Sequence, residues 1–213
     1  MIQMSISNNP LFITFEGIDG CGKSTQVKML MDRFEKESIE SSLVREPGGT
    51  QISEEIRDVL LKNRYDKMSE RTEALLMTAS RSQLTKDVII PNLKSGKIVV
   101  ADRFKDSTLA YQGGGRGLDL KYLIQLNEFA TYDLDPDITF FIDVTAHEGN
   151  RRRNSGISDR IEKAGIDFQH IVREQYIKLA HMYDQRFVTI DGTLSPENIH
   201  KTIWTTIQDR KNS

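Results

Sequence analysis

Gly17-Ile18-Asp19-Gly20-Cys21-Gly22-Lys23-Ser24-Thr25 is the stretch on which the reading of this chain turns. It fits G-x-x-x-x-G-K-[ST], a spacing in which glycines let the backbone curl until successive N–H groups face one anion. Lys23 adds a point charge for phosphate, and Ser24 a hydroxyl for Mg2+. Such a motif has meaning only between a strand and a helix. Leu11-Phe12-Ile13-Thr14-Phe15, just before it, is an apolar run of strand length. After it, Val27, Leu30, Met31 and Phe34 recur at helical spacing between Gln26 and Glu37. Strand, Gly-rich loop and helix in that order predict a nucleotide phosphate cradle over Gly17 to Thr25 rather than an ordinary tight turn. The motif leaves the reaction open.

Working outward, 213 residues can bury one substantial core, and a single domain over 1–213 is the simplest expectation. The formal charge of -2, from 29 basic and 31 acidic residues, leaves no positive excess for a nucleic acid or an anionic membrane. The basic residues must act locally. One cysteine, Cys21, excludes an intrachain disulfide and fits a reducing compartment. Met1 to Pro10 has neither the basic start nor the apolar stretch of a signal peptide, and no segment reaches membrane-spanning length. A cytoplasmic location is expected.

Further along, Ser42 to Arg45 reads as a short strand running into the turn Glu46-Pro47-Gly48-Gly49-Thr50, after which Ser53 is expected to cap a helix to about Lys62. A long helix is expected from Glu70 to Ser95, broken or kinked at Pro91. Ile98-Val99-Val100-Ala101 is a buried strand ending on Asp102-Arg103. A polar segment with Gly113-Gly114-Gly115 follows, then a helix over Lys121 to Thr131, a strand over Ile138 to Ile142, and the basic run Arg151-Arg152-Arg153. A helix from Phe168 to Tyr183, a strand from Phe187 to Ile190 and a helix opened by Pro196 complete the chain. Strands alternating with helices predict an α/β fold with a parallel sheet covered on both faces. Ligands then bind at the carboxyl edge of the strands, where loops distant in sequence share one site.

Several side chains at that edge suit phosphate and base. Asp102, ending an apolar strand beside the cradle, would order Mg2+ or its waters together with Ser24. Arg103 next to it would bridge two phosphate groups. Met77 and Arg81 are four apart on one helix, as are Ser107 and Tyr111 on the next helical segment, so each pair shares a face.

Taken together, Phe15-Glu16-Gly17-Ile18-Asp19-Gly20, Arg45-Glu46-Pro47-Gly48-Gly49-Thr50, Arg71-Thr72-Glu73-Ala74, Asp102-Arg103-Phe104 and Ser107-Thr108-Leu109-Ala110-Tyr111-Gln112-Gly113 resemble the thymidylate kinase family from about Leu11 to the last helix. The resemblance implies a P-loop nucleoside monophosphate kinase-like fold, a five-stranded parallel sheet flanked by helices. It implies dTMP as acceptor, MgATP as donor, dTDP and ADP as products, and a homodimer. By the same resemblance Asp19 binds the sugar 3′-hydroxyl, Arg45, Arg57 and Arg103 hold the acceptor phosphate, and Arg81, Ser107 and Gln112 read the thymine edge. Tyr111 lies against the deoxyribose. Two departures from the family pattern stand out. Met77 occupies the place of a phenylalanine that stacks on thymine, and a thioether is a more flexible cover for a base. The phosphate loop carries Gly20 where some members have arginine; in such forms a lid, here about 149–162, supplies the cation. Its candidates are Arg151, Arg152, Arg153 and Arg160, with Ser155 where relatives often have arginine, and Arg153 is the preferred one.

A phosphate monoester with a second pKa of about 6 is already near its dianion at neutral pH, so no general base is needed. Catalysis is then alignment and charge neutralisation by Lys23, Arg103 and Arg153, with Asp102 and Ser24 at the metal. Two other readings stay open on the residues alone. One is a kinase for a different pyrimidine monophosphate; the other is a nucleotide-dependent switch, against which stands the absence of an N-K-x-D motif.

Overall fold

The computed structural model describes residues 10–62, 68–153 and 160–211. β1 (Phe12–Glu16) is buried along its whole length, and the phosphate loop leads from it into α1 (Lys23–Lys36). β2 (Ser41–Arg45) and α2 (Gln51–Leu61) follow. The α2 cap is Thr50, whose hydroxyl accepts from the Ser53 N–H; Ser53 sits three residues inside the helix rather than capping it. α3 (Glu70–Leu84) is capped by Ser69 and runs into a π-helical turn, Thr85–Ile89, before α4 (Ile90–Lys94). The break expected at Pro91 therefore takes the form of a widened turn. Pro91 has no N–H to give, and the π turn before it places the proline at the start of a new helical segment, where none is required.

β3 (Ile98–Asp102) is followed by α5 (Lys105–Thr108) and a second π-helical stretch, Leu109–Gly115. Gly113, Gly114 and Gly115 thus lie in a packed helix rather than a loose polar segment. A Cβ on Gly114 would come within 2.5 Å of Gln175 Cβ, and one on Gly115 within 2.4 Å of the Phe168 ring. These glycines let neighbouring helices touch. α6 (Leu120–Thr131), β4 (Ile138–Asp143), α7 (Ala146–Arg152), α8 (Gly165–Met182), β5 (Phe187–Asp191) and α9 (Pro196–Lys211) complete the fold.

All strand pairs are parallel, in the order β2-β3-β1-β4-β5. Alternation along β1 and β3 sends Ile13, Phe15 and Val100 into one core with Val27, Leu30 and Phe34 of α1 and Ile203 of α9. Phe12, Val99 and Ala101 go instead to a second core with Leu84, Ile89 and Phe104. The chain leaves β1 to build β2 on one side and returns to build β4 on the other. β1 is consequently the switch point, and the crevice above its carboxyl end opens beside the phosphate loop. Among the described residues no helix is long and apolar enough to cross a membrane.

Candidate active site

Two cavities open at the carboxyl edge. The larger, about 740 Å³, is lined by Gly20 to Gln26 with Asp102, Arg152, Arg153, Gly192, Leu194 and Pro196. The smaller, about 210 Å³, is lined by Glu46, Pro47, Arg57, Met77, Arg81, Ser107, Tyr111 and Gln112, with Leu61 and Ile161 closing one side. Asp19 and Arg103 line both.

Arg103 occupies that junction because the turn after β3 takes it to φ 73°, left-handed backbone that costs a non-glycine residue about 1–2 kcal/mol. Its Nη2 donates to Asp19 Oδ1 at 2.6 Å and Tyr111 OH at 3.0 Å, and its Nη1 to the Gly17 carbonyl at 3.0 Å. Burial alone would raise the Asp19 carboxyl, but Arg103, Lys23 and a hydrogen bond from Gln169 hold it below the usual value. Asp19 is thus an anion fixed between two cations. Lys23 Nζ donates to the carbonyls of Gly17 and Ile18, each at 3.0 Å, and so spans the loop that it closes. Ser24 Oγ donates to Asp102 Oδ2 at 3.3 Å, joining a hydroxyl and a carboxylate oxygen of the hard type that Mg2+ takes. One or two such ligands suffice when phosphates and waters complete the shell, so the pair fits that metal.

Beneath Arg103 lies Glu16, fully buried at the end of β1. It accepts from Ser107 Oγ at 2.6 Å, Tyr176 OH at 2.7 Å and the Phe104 N–H at 2.8 Å. Burial and the nearby Asp106 push its carboxyl up. Arg81 is 2 % exposed. Its Nε and Nη2 grip Glu46 Oε2 at 2.8 and 2.6 Å, Nη1 reaches Thr108 and Asn127, and Nη2 also donates to the Phe104 carbonyl at 3.1 Å. Four hydrogen bonds and the Glu46 ion pair thus hold the guanidinium in place.

The family model described as Thymidylate kinase matches residues 15–203. The chain belongs to the thymidylate kinase family. It is 48% identical over 194 residues to the thymidylate kinase of Kosmotoga olearia, covering 91% of this chain and 93% of that one. It is 46% identical over 193 residues to that of Thermoanaerobacter sp. strain X514, covering 90% and 94%. A crystal structure of thymidylate kinase from Ehrlichia chaffeensis superposes with a TM-score of 0.75 at 33% identity, covering 94% of this chain and 99% of that one.

Most residues expected from the thymidylate kinase resemblance converge. Asp19, Arg57, Met77, Arg81, Arg103, Ser107, Tyr111 and Gln112 line the smaller cavity, and Lys23, Ser24, Asp102 and Arg153 the larger. Arg45 falls outside both linings. Its side chain, 48% exposed, pairs with Glu54 and borders a groove that also touches Ser24 and Asp102. It shares the Pro47 carbonyl with Arg57, which places it at the rim. Arg81 reaches the cavity with its guanidinium already bonded to Glu46, Thr108, Asn127 and the Phe104 carbonyl. Of the lid arginines, Arg151 and Arg152 are tied to Glu148, Arg160 to Glu73, and Arg153 bonds Asn150. Arg153 Nη1 is buried and without a hydrogen-bond partner among the described residues. Residues 154–159 of the expected lid, Ser155 among them, lie outside the described residues. Sequence reasoning gave no role to Glu16, Glu46 or Glu73, although all three sit in the quoted motifs, and nothing in the chain signalled Gln169 or Tyr176.

Proposed function

We propose that this thymidylate kinase-family chain transfers the γ-phosphoryl group of ATP to dTMP, giving dTDP and ADP, with the donor in the larger cavity and the acceptor in the smaller. The observation that carries this reading is the meeting of the two cavities at Asp19 and Arg103. One cation can then touch the phosphates of both ligands.

In this reading Gly17 to Thr25 cradle the donor phosphates, and Lys23 swings from its loop carbonyls to the transferring group. Arg153, with a buried donor unspent, supplies the lid cation. Ser24 and Asp102 would hold Mg2+, which when bound neutralises phosphate charge. Arg57 and Arg103 hold the acceptor phosphate, with Arg45 at the rim, and Met77 covers the base. Asp19 takes the sugar hydroxyl and Tyr111 packs on the deoxyribose. The acceptor is a dianion above about pH 6, so the site needs alignment and positive charge rather than a base. The chain acts as one kinase domain in the cytoplasm with 149–162 as its lid. It pairs as a homodimer, for which α3 and α6, packed side by side, expose Leu75, Tyr122 and Phe129.

A coupled ADP-release assay with ATP and a panel of nucleoside monophosphates tests the assignment: dTMP is turned over fastest. Lys23→Ala lowers kcat by orders of magnitude while leaving the fold intact. Turnover of that variant near the wild-type rate would remove the cradle from the reaction.

A further inference from the structure

Gln112 lines the acceptor cavity, and the two ends of its amide have opposite hydrogen-bonding character. Glu73, on α3 and only 1% exposed, decides which end is which. Its Oε1 accepts from Gln112 Nε2 at 2.8 Å. An ionised carboxylate only accepts, so the amide nitrogen stays on Glu73 and Oε1 turns away from it. Burial works to raise the Glu73 carboxyl, but Gln112, Arg116 and Arg160 together bring it below the usual value, so it remains an anion at neutral pH. Arg116 donates to both of its oxygens at 3.2 Å, and Arg160 pairs with it at 2.6 Å. Arg160 also donates through Nε to the Leu60 carbonyl, and its backbone N–H to that of Leu61. One buried anion thus holds both the amide and the chain that carries the Ile161 wall.

We infer that Glu73 is a positioning residue for base selection. By gripping Gln112 Nε2 it commits Gln112 Oε1 as an acceptor for the cavity, matched to the N3–H of thymine or uracil and opposed to the bare N3 of cytosine. The inference rests on a pyrimidine monophosphate occupying the smaller cavity. Glu73 touches no substrate; it acts through Gln112.

The test is kcat/KM for dTMP, dUMP and dCMP in the wild type, Glu73→Gln and Glu73→Asp. The first variant removes the charge that fixes the amide. The second keeps the charge for Arg116 and Arg160 but retracts it by one methylene, which guards against a fold too weak to assay. In both, discrimination of dTMP and of dUMP against dCMP falls about tenfold, while dTMP against dUMP, which differ only by the 5-methyl group, stays within about twofold. A general loosening of the cavity would lower all three rates together and leave the ratios alone. Unchanged discrimination against dCMP in a folded variant overturns the inference. A wild type that does not prefer dTMP or dUMP to dCMP would overturn the acceptor assignment itself, before any variant is compared.

Discussion

Gly20→Ala probes how closely the phosphate loop and α7 are seated on each other. A Cβ built at Gly20 would lie 2.1 Å from the Gly149 carbonyl oxygen and 3.2 Å from Arg153 Cγ, on a backbone at φ 79°. An ordinary carbon–oxygen contact is about 3.3 Å or more, so loop and helix must part by about 1 Å. The left-handed backbone adds about 1–2 kcal/mol for alanine. Together these lower stability by about 2–3 kcal/mol, or about 4–12 °C in Tm for a chain of this size. The larger effect falls on turnover, because displacing Arg153 by about 1 Å from the transferring group costs about a hundredfold in kcat. Steady-state coupled kinetics and a melting curve measure the two effects separately. Gly96→Ala serves as the control: φ 85° and open space make it a site of backbone strain alone, so its Tm falls while kcat holds. If Gly20→Ala melts lower yet retains kcat within about threefold of wild type, the seating of α7 has no part in placing the cation.

Arg81→Met removes a buried guanidinium and leaves the Glu46 carboxyl and Asn127 Oδ1 without its donors, so stability falls by about 3–5 kcal/mol in denaturant titration; a loss under about 1 kcal/mol would mean the network is dispensable. Burial raises the Glu46 carboxyl from 4.5 to about 7 despite Arg81, so the folded state binds more protons than the unfolded one between those values. Stability should therefore decline as pH rises through that window, by at most about 3 kcal/mol from this group. Glu46→Gln should flatten the decline measured by urea unfolding at pH 5 and pH 8, and an unaltered slope would refute the assignment. Met77→Phe puts a flat ring on the wall of the acceptor cavity and should tighten dTMP by about twofold to tenfold in calorimetry; unchanged or weaker binding rejects stacking at that position.

The phosphate loop, the strand ends and the parallel sheet could be read from the chain because each has a local signal: glycine spacing, apolar runs, alternation with helices. Pro91 announced an interruption but not its form, since a π turn depends on how the helix packs and not on composition. Gly113 to Gly115 misled for a related reason. Three glycines read as a polar segment along the chain, whereas Gln175 and Phe168, some 50 to 60 residues later, turn them into contact points in a packed helix. The charges at the site were legible as types but not as pairings. Arg81 promised free donors, yet Glu46, Thr108, Asn127 and the Phe104 carbonyl each take a hydrogen bond from it. Tyr176 had no signal, because its hydroxyl matters only where α8 crosses the end of β1.

That crossing governs when the site can exist during synthesis. Glu16 and Asp19 emerge from the ribosome early, but their partners Tyr176 and Gln169 follow 160 and 150 residues later. Until α8 is made, the carboxylates at the head of β1 lack the hydroxyl and amide that tether them, and Arg103 lacks its contact with Tyr176. A nascent chain thus carries the phosphate loop long before it carries the α8 side chains that tether Glu16, Asp19 and Arg103.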